Sequence, residues 1–468
     1  MRKTKIICTI GPASDNIETL KKMADIGFDA VRLNFSHGDY DSHGKLIKYI
    51  NDIKKYVKRK PALLLDTQGP EIRTGKLKQD IKLNAGDTFT FSIKDAFDED
   101  FGTTINYKNL VKYIKKKDNL FVDDGLIEFE VKKIEGHKII CTVVNAGILG
   151  SNKTVNLPSI DVKMPSLTEK DIRDIDFGIL HNVDFIAVSF VKTKEDVLNL
   201  RKYLRSKNKD IQIISKIEHS LAVENFDEIL EVSDGIMVAR GDLGIEIPFE
   251  KVPLIQEEII KKCNIVGKPV IVATHMLESM IYNPRPTRAE VSDVAGAIRE
   301  GADAVMLSGE TAKGKYPVES LKVMDKICIE TEKTISPRIE DYMHEKTKTS
   351  KHIVSNAVAL CANELNAKAI IAITSTGETA GLLCRYRLNT PIYVFSNEEK
   401  IRDDAKLQFG AFSFELDTDN KSSAEIIELT ISFLKKVQCL NPKDIVIITV
   451  AIEKGKEPNN FVEVKIVD

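Results

Sequence analysis

Eight short apolar stretches, each ending in a polar residue, recur at fairly regular intervals along the first two thirds of the chain. Their polar ends are Thr9, Ser36, Thr67, Ser189, Glu218, Asp242, His275 and Glu310. Apolar runs of this length that alternate with helical patterns are typical of βα units on a parallel sheet. Eight such units predict an α/β fold with a closed (β/α)8 (TIM) barrel, in which the carboxyl ends of the strands form the rim of the active site. The polar strand ends therefore indicate an enzyme.

The interval between the third and fourth predicted strands, from Thr67 to Asp184, is too long for a loop. Within it, apolar and polar residues alternate in DTFTFSI, NLFVDDGLIEFEVKKI and HKIICTVV, with turn sequences such as DDG and EGH. This pattern predicts an antiparallel β module. Because an insertion after a barrel strand lies over the rim, we interpret residues 74–163 as an inserted β-barrel lid domain. The alternative is an insertion that takes no part in catalysis.

A second α/β pattern follows the eighth unit and a polar connection, SPRIEDYMHEKTKTSKH. A helix is predicted around 352–365, and strands are predicted in AKAIIAIT, TPIYVFS, AFSFEL, DIVIITVA and FVEVKIV. We therefore expect a separate, doubly wound C-terminal domain at 341–468. The catalytic barrel is then built from residues 1–73 and 164–340.

Composition narrows the possible classes of function. A formal net charge of −2 gives no electrostatic basis for binding nucleic acid. The seven cysteines include no CxxC pair, which is typical of a reduced cytosol and argues against a disulfide framework or a zinc site. No apolar run reaches membrane-spanning length, and the first strand begins too early for a signal peptide. We expect a cytoplasmic protein with neither a nucleic-acid nor a membrane partner.

The second and third strand ends carry residues suited to a phosphate and a hard cation. In RLNFSHG, the alternation of a strand places Arg32, Asn34 and Ser36 on one face. A guanidinium can bind a phosphate, and the two neutral side chains offer oxygen ligands. Asp66 and Thr67 add a carboxylate and further oxygens at the same rim. Taken alone, such a strand could equally be polar only because its end is exposed.

Later strand ends supply the remaining groups for phosphoryl chemistry. Lys216 and Glu218 are two residues apart and project the same way, so that a buried ion pair is one alternative. Glu218 together with Asp242 on the next strand predicts a two-carboxylate Mg²⁺ site. Lys216 would then be a compact positive charge beside the transferring phosphoryl group. Thr274 offers a hydroxyl, whereas His275 is better interpreted as a packed or rim histidine.

The convergence of these groups on one rim favours phosphoryl transfer, which needs positioning and charge neutralisation rather than covalent work by the protein. The sequence contains neither a GxxxxGK[ST] loop nor the HRD and DFG motifs of protein kinases. The chemistry therefore requires another scaffold.

The sequence resembles pyruvate kinases over nearly its whole length. The motifs that carry the resemblance are KIICTIGPAS, VRLNFSHG, DTQGPEIRTG, VDDGLI, DFIAVSFV, ISKIE, GIMVARGDLG, VATHMLESM, PRPTRAEVSDVA and DAVMLSGETAKGKYP. The resemblance implies a barrel with a β lid after strand three and a C-terminal α/β domain. It also implies transfer of the phosphoryl group of phosphoenolpyruvate to ADP, giving pyruvate and ATP, in a homotetramer.

The same resemblance assigns roles to individual positions. The implied catalytic residues are Lys216, Thr274 and Arg32, and the implied substrate contacts are Arg32, Lys216, Gly241, Asp242, Thr274 and Ser189. The implied nucleotide contacts are Asn34, His37, Arg59, Arg73 and Lys153. Mg²⁺ (or Mn²⁺) would be ligated by Glu218 and Asp242, and K⁺ by Asn34, Ser36, Asp66 and Thr67. Glu71 stands where K⁺-dependent members of the family have Glu, which predicts stimulation by K⁺.

Some positions depart from the family pattern: His219, Leu221, His275 and Gly296 replace other residues. None of them is an implied ligand, so the departures bear on rate or substrate affinity rather than on the reaction.

A loop in the C-terminal domain, TSTGETA at 374–380, resembles the family's effector site. Its small hydroxyl residues and glycine open a helix, where N–H groups can hold an anion such as AMP or a sugar phosphate. The implied contacts are Thr374, Ser375, Thr376, Gly377 and Thr379. Glu378 stands where a basic residue is common, which weakens the case for a sugar bisphosphate. A strand-to-helix turn without a ligand is the alternative.

Two other functions compete with a glycolytic kinase. A catalytically silent sensor of phosphorylated metabolites would be favoured by loss of Lys216, Glu218 or Asp242, and all three are present. Another Mg²⁺-dependent barrel, a lyase or mutase, would need neither a nucleotide-side lid nor the pair of Arg73 and Lys153.

Overall fold

A computed structural model describes residues 2–57, 59–94, 101–158, 160, 162–342, 349–417, 421–454 and 457–468. The strands are β1 (Lys5–Thr9), β2 (Ala30–Asn34), β3 (Ala62–Asp66), β4 (Ile81–Leu83), β5 (Thr88–Ser92), β6 (Gly102–Thr104), β7 (Asn119–Val122), β8 (Ile127–Glu135), β9 (Lys138–Val143), β10 (Gly147–Leu149), β11 (Val155–Asn156), β12 (Phe185–Val188), β13 (Gln212–Ile217), β14 (Gly235–Ala239), β15 (Val270–Ala273), β16 (Ala304–Leu307), β17 (Ala369–Thr374), β18 (Ile392–Ser396), β19 (Ala411–Glu415), β20 (Ile445–Lys454) and β21 (Glu457–Ile466).

The α-helices are α1 (Ile17–Ile26), α2 (Tyr40–Ile53), α3 (Glu169–Leu180), α4 (Lys194–Ser206), α5 (Ser220–Glu224), α6 (Phe226–Val232), α7 (Arg240–Glu246), α8 (Val252–Val266), α9 (Arg288–Glu300), α10 (Gly309–Ala312), α11 (Pro317–Glu332), α12 (Ser350–Glu364), α13 (Glu378–Cys384), α14 (Glu399–Asp404) and α15 (Ser423–Lys436). Several helices begin at a capping box, in which a Ser or Thr side chain and an acidic side chain three residues later satisfy each other's backbone N–H groups. Thr168, Thr287 and Ser422 start α3, α9 and α15 in this way. No helix among the described residues combines the length and apolarity needed to cross a membrane.

Eight parallel strands close into a barrel in the order β1-β16-β15-β14-β13-β12-β3-β2, which confirms the predicted (β/α)8 fold. Residues such as Ile7, Leu64, Phe185, Met237 and Met306 form a core inside the barrel. The alternate residues pack outward against the helices in a larger apolar cluster. Burial on both faces explains why these strands appear in the sequence as continuous apolar runs.

The β module inserted between β3 and α3 contains β4 to β11. Its described strands form a six-stranded sheet, β11-β7-β8-β9-β5-β6, and a two-stranded sheet, β10-β4, around one core with Phe89, Phe91 and Phe129. The expectation of a purely antiparallel module is wrong at one place, because β5 and β6 are parallel. The connection 93–101 between them is longer than a hairpin turn, and a tight turn joins only antiparallel strands.

The C-terminal domain has a five-stranded sheet in the order β19-β18-β17-β20-β21, parallel except for the final strand. Apolar clusters lie on both faces of this sheet, one with Ile370 and Val394 and the other with Ile371 and Tyr393. Helices therefore cover both faces, as the prediction of a doubly wound domain required.

The C-terminal domain packs against the end of the barrel at which the strands begin. Lys5 Nζ, at the start of β1, donates to Ala411 O at 2.5 Å. The buried guanidinium of Arg387 lies 2.6 Å from Asp303 Oδ1, immediately before β16. The C-terminal domain therefore does not cover the rim formed by the carboxyl ends of the strands, where the β module is inserted.

Candidate active site

The rim of the barrel brings together side chains from strands that are far apart in sequence. Asn34 and Asp66 are register partners at the ends of β2 and β3. Ser189 follows β12, Lys216 lies near the end of β13, and Thr274 follows β15. Because all barrel strands are parallel, their carboxyl ends share one face, and these residues meet there.

A buried ammonium group is the centre of the site. Lys216 Nζ lies 2.7 Å from Glu218 Oε1 and 3.1 Å from Asp66 Oδ1, and it donates to Ser189 Oγ at 2.7 Å. Burial alone would lower the pKa of Lys216, but the two carboxylates outweigh it and raise the pKa above its ordinary value. The lysine is therefore a permanent positive charge at neutral pH.

Arg32 approaches the same carboxylate from the neighbouring strand. Its Nε donates to Asp66 Oδ2 at 2.5 Å, and one terminal nitrogen donates to Thr9 Oγ1 at 3.2 Å. Burial would raise the pKa of Asp66, but Arg32 and Lys216 together lower it below its usual value. Asp66 thus holds two cations, Arg32 and Lys216, on one carboxylate at the rim.

The carboxyl groups of Glu218, which is buried, and of Asp242, which is half-buried, lie beside the lysine. Glu218 Oε2 accepts a hydrogen bond from Phe190 N at 2.7 Å. Burial, followed by the charge of Glu218, raises the pKa of Asp242 to about 7. A carboxyl group whose pKa is raised by a neighbouring carboxylate is stabilised in its ionised form by a hard divalent cation, so Glu218 and Asp242 fit the predicted Mg²⁺ site.

The residues predicted for K⁺ also lie side by side. Asn34 Oδ1 accepts from Ser36 N at 3.1 Å, and Asp66 lies at the neighbouring strand end. Thr67 Oγ1 accepts from Ser189 N at 3.2 Å, while Thr67 O accepts from Ser189 Oγ at 2.7 Å. One carboxylate among neutral oxygens fits a monovalent hard cation.

Thr274 has an unusual backbone conformation. Its φ is +68° and that of His275 is +53°, so two consecutive non-glycine residues are left-handed where β15 ends. Thr274 Oγ1 accepts a hydrogen bond from Gly241 N at 2.7 Å. A branched residue held in this region is a genuine outlier, and such strain clusters at functional sites.

Basic residues from two parts of the chain flank the rim on the side of the β module. Arg73 Nε donates to Glu71 Oε2 at 2.6 Å, and Gln68 Nε2 donates to the same oxygen at 2.9 Å. Burial, together with the charge of Arg73, lowers the pKa of His37. On the module itself, Lys153 Nζ lies 2.8 Å from Asp123 Oδ1.

The β module packs directly over this rim. A Cβ added at Gly125 of the module would lie 3.5 Å from Ile245 of α7, and the charge of Asp124 acts on Asp242. A cavity of about 390 Å³ lies between the barrel and the β module, and it is lined in part by Glu71, Asn156 and Asp242. The module therefore lies over the rim, and its role as a lid stays a prediction.

The position of Arg59 corrects one expectation, because the structure does not bring this residue to the nucleotide side. Arg59 precedes β3, so it lies at the opposite end of the barrel. Its guanidinium carbon is 4.4 Å from the centre of the Phe412 ring in the C-terminal domain, and it acts electrostatically with Asp29 and Arg2.

The departures from the family pattern have structural explanations in two cases. His219 is the N-cap of α5, where Nδ1 accepts from Leu221 N at 3.1 Å. His275 is exposed at the rim, as expected for a rim histidine. Gly296 lies in α9 with room for a side chain, and nothing in the structure explains the glycine there.

The loop predicted to hold an effector turns from β17 into α13. Thr374 Oγ1 accepts from Thr376 N at 3.3 Å and from Gly377 N at 3.0 Å. Gly377 has a φ of +78°, and Glu378 forms an ion pair with Lys351 of α12. Two N–H groups of the loop are thus engaged by its own threonine.

Several residues of the site escaped sequence reasoning. Thr9 accepts a hydrogen bond from Arg32, Phe190 donates its N–H to Glu218, and Arg240 binds the carbonyl of Thr274. Lys313 contributes positive charge near His37. Of these, Thr9 alone gave a signal, as the polar end of the first apolar run.

Comparison with known proteins matches both parts of the chain. The model of the pyruvate kinase barrel domain matches residues 1–321, and that of the pyruvate kinase alpha/beta domain matches residues 352–465. Pyruvate kinase of Clostridium perfringens is 46% identical over 92% of both chains, and that of Clostridium acetobutylicum is 41% identical over 100% of both. Pyruvate kinase of Geobacillus stearothermophilus is 43% identical over 97% of this chain and 78% of its own. With its barrel, its C-terminal domain and nearly its full length matched, the chain belongs to the pyruvate kinase family.

Proposed function

We propose that the chain transfers the phosphoryl group of phosphoenolpyruvate to ADP, giving pyruvate and ATP, at the cluster around Lys216. The observation that carries the proposal is the placement of one buried ammonium within 3.1 Å of both Asp66 and Glu218, beside Arg32. This arrangement neutralises a transferring phosphoryl group without any covalent step by the protein. Membership of the pyruvate kinase family, a family of phosphotransferases, supports the reaction.

Arg32 and Lys216 are proposed to bind the phosphoryl group in successive positions. Arg32 presents a planar fork suited to phosphate oxygens, whereas Lys216 is a point charge. Asp66 bonds to both cations, so their spacing is set before substrate arrives. Preorganised charge of this kind lowers the barrier because no reorganisation is needed during the reaction.

Two cations are part of the proposal. Mg²⁺ or Mn²⁺ would be held by Glu218 and Asp242, and it would supply charge neutralisation for the phosphoryl oxygens. K⁺ would be held by Asn34, Ser36, Asp66 and Thr67. Since the pKa of Asp242 is raised to about 7, binding of the divalent cation requires this carboxyl group to lose its proton.

The carboxylate of the substrate is proposed to lie against the backbone at Gly241, with Ser189 as a further polar contact. Thr274, whose hydroxyl accepts from Gly241 N, is then next to the substrate and belongs to the route that protonates the enolate. The new C–H bond forms at the methylene carbon, with solvent as the ultimate source of the proton.

The nucleotide is proposed to bind between the rim and the β module, with Asn34, His37, Arg73 and Lys153 as contacts. Closure of the module would exclude water, which limits wasteful hydrolysis of the phosphoryl group. A homotetramer in the cytoplasm, with a phosphorylated effector at 374–379, completes the proposal. The ion pair of Glu378 with Lys351 favours a weakly charged effector such as AMP over a sugar bisphosphate.

The experiment is ATP production from phosphoenolpyruvate and ADP with Mg²⁺, measured with and without K⁺ and then with AMP or sugar phosphates added. Turnover that rises with K⁺ is the expected result. The same assay on Lys216→Met excludes a contaminating kinase. A folded sample that binds phosphoenolpyruvate but turns nothing over would overturn the proposal in favour of a silent sensor.

A further inference from the structure

One buried arginine holds the strained turn at the end of β15. Arg240, the first residue of α7, donates from Nε and from one terminal nitrogen to Thr274 O at 3.3 and 2.8 Å. The other terminal nitrogen lies 2.7 Å from Asp293 Oδ1 of α9. The Arg240 side chain is only 11% exposed, so these bonds are made largely out of water.

The turn needs such a partner because its backbone conformation is intrinsically unfavourable. Both Thr274 and His275 have positive φ, and neither is a glycine. Residues held in such regions persist only where the surroundings over-determine them. Thr274 accepts at two points, since Arg240 donates to its carbonyl and Gly241 N donates to its hydroxyl at 2.7 Å; that hydroxyl in turn donates to Ala273 O at 2.6 Å. Both donors come from consecutive residues at the end of β14.

We infer that Arg240 is a positioning residue for proton transfer, holding the Thr274 hydroxyl where it faces the methylene carbon of the enolate. The inference rests on the proposed function and adds to it the residue on which the protonation step depends. Asp293 orients the guanidinium in turn. The phosphoryl-transfer groups, Lys216 and Glu218, are not among the residues that Arg240 bonds.

Because Arg240 is assigned to proton transfer and not to phosphoryl transfer, its loss should affect two measurable rates differently: ATP formation and exchange of the pyruvate methyl hydrogens. In a variant with a misplaced Thr274, phosphoryl transfer still gives ATP, and the released enolate can take its proton from solvent. Exchange of the pyruvate methyl hydrogens with solvent has no such bypass, because a C–H bond must break on the enzyme and re-form with a solvent deuteron. The ratio of exchange to ATP formation therefore reports on positioning of the proton route.

The test is Arg240→Lys, which keeps the charge but loses the planar fork that grips one carbonyl twice. Deuterium uptake into pyruvate is measured by NMR in D2O with pyruvate, ATP, Mg²⁺ and K⁺, alongside kcat and KM for phosphoenolpyruvate in the forward direction. We expect exchange to fall about tenfold, the rate equivalent of one lost hydrogen bond, with a much smaller loss of ATP formation. KM for phosphoenolpyruvate should stay within about twofold.

A matched control lies at the other end of β14, where Arg201 bonds to residues that precede the strand. Arg201 also bonds a carbonyl and a carboxylate, Val232 O at 3.0 Å and Asp234 Oδ2 at 2.8 Å, and its side chain is 14% exposed. Arg201→Lys should leave the ratio of exchange to ATP formation unchanged. An equal loss of both rates in Arg240→Lys, or the same change of ratio in Arg201→Lys, would overturn the inference.

A second variant covers the case in which Arg240→Lys does not fold. Asp293→Asn removes only the outer anchor of the guanidinium, and its side chain is 40% exposed, so the fold should tolerate it. A smaller drop in the same ratio is expected, and an unchanged ratio would contradict the inference. Absence of ATP formation by the unaltered chain would instead refute the proposed function.

Discussion

Lys216 Nζ lies 3.1 Å from Asp66 Oδ1, although the two residues belong to strands that are not neighbours in the barrel. Asp66 ends β3, Lys216 lies on β13, and β12 runs between them. The contact therefore spans the end of β12. Because Asp66 also binds Arg32, one carboxylate fixes both cations of the proposed phosphoryl site.

Replacing Lys216 by methionine should nearly abolish ATP formation while leaving phosphoenolpyruvate binding largely intact. The reason is that the ammonium is proposed to stabilise charge that develops during transfer, an effect that appears in kcat. Steady-state kinetics and equilibrium binding of phosphoenolpyruvate measure the two quantities.

The unfolding midpoint must be recorded for the same variant, since Asp66 and Glu218 lose a buried partner. Lys268→Met is the control, because Lys268 is a half-buried lysine that donates to Leu230 O at the opposite end of the barrel. Retention of most of kcat in folded Lys216→Met would refute the proposed role.

Asp242→Asn should raise the Mg²⁺ concentration needed for half-maximal activity by about tenfold or more, because a neutral amide replaces one of two carboxylate ligands. The requirement of the unaltered chain should also rise as the pH falls below about 7, where the Asp242 carboxyl takes up a proton that competes with the metal. Mg²⁺ titrations at several pH values test both statements. An unchanged titration for Asp242→Asn would remove this residue from the metal site.

K⁺ should stimulate the reaction, and Glu71→Lys should reduce that stimulation. Glu71 accepts from Arg73 and Gln68 beside the proposed K⁺ ligands, so a lysine here would bring a positive charge to the same place. Glu71→Gln separates the loss of a negative charge from the gain of a cation. Activity is measured with K⁺ and in a buffer free of both Na⁺ and K⁺. Equal activity of the unaltered chain in the two buffers would contradict the prediction.

Much of the barrel could be predicted because two rules act together. Strands buried on both faces appear as apolar runs, and parallel strands carry their polar ends to one rim. Together they predict one site that contains Lys216, Glu218, Asp66 and Arg32. Alternation along single strands was sufficient for this step.

The same rules do not predict features that depend on tertiary contacts. The positive φ of Phe190, which directs its N–H to Glu218, has no sequence signal. The parallel pairing of β5 with β6 was hidden for the same reason, since alternation fixes faces but not strand direction. The expectation for Arg59 is wrong because it rests on resemblance alone, whereas a residue that precedes a barrel strand lies at the end of the barrel opposite the rim.

Arg59→Gln should leave KM for ADP unchanged, whereas Arg73→Gln should raise it. The two arginines lie at opposite ends of the barrel, and only Arg73 is beside the rim. Arg59 packs on Phe412, so its loss should instead lower the unfolding midpoint slightly, through a cation–π contact of about 0.5–2 kcal/mol. Kinetics in ADP and thermal unfolding of both variants measure this. A rise in KM for ADP in Arg59→Gln equal to that in Arg73→Gln would reverse the correction.

A carboxyl pair joins the barrel to the C-terminal domain. The charge of Asp184, which lies just before β12, acts on Asp403 of α14, and Lys406 Nζ is 2.5 Å from Asp403 Oδ1. Burial, followed by the charge of Asp184, raises the pKa of Asp403 to about 6 despite Lys406. Lys54 also acts electrostatically on this group.

Asp403→Asn should therefore remove a pH-dependent part of the stability. Between about pH 4 and pH 6 the folded chain keeps a proton that the unfolded chain releases, so this contribution to the free energy of unfolding falls as the pH rises through that range. The variant should gain on the order of 1–2 kcal/mol relative to the unaltered chain between pH 4 and pH 7. Urea unfolding across this range measures the difference. Asp52→Asn, at an exposed pair with Lys55, should change little. A difference for Asp403→Asn that does not vary with pH would contradict the raised pKa of Asp403.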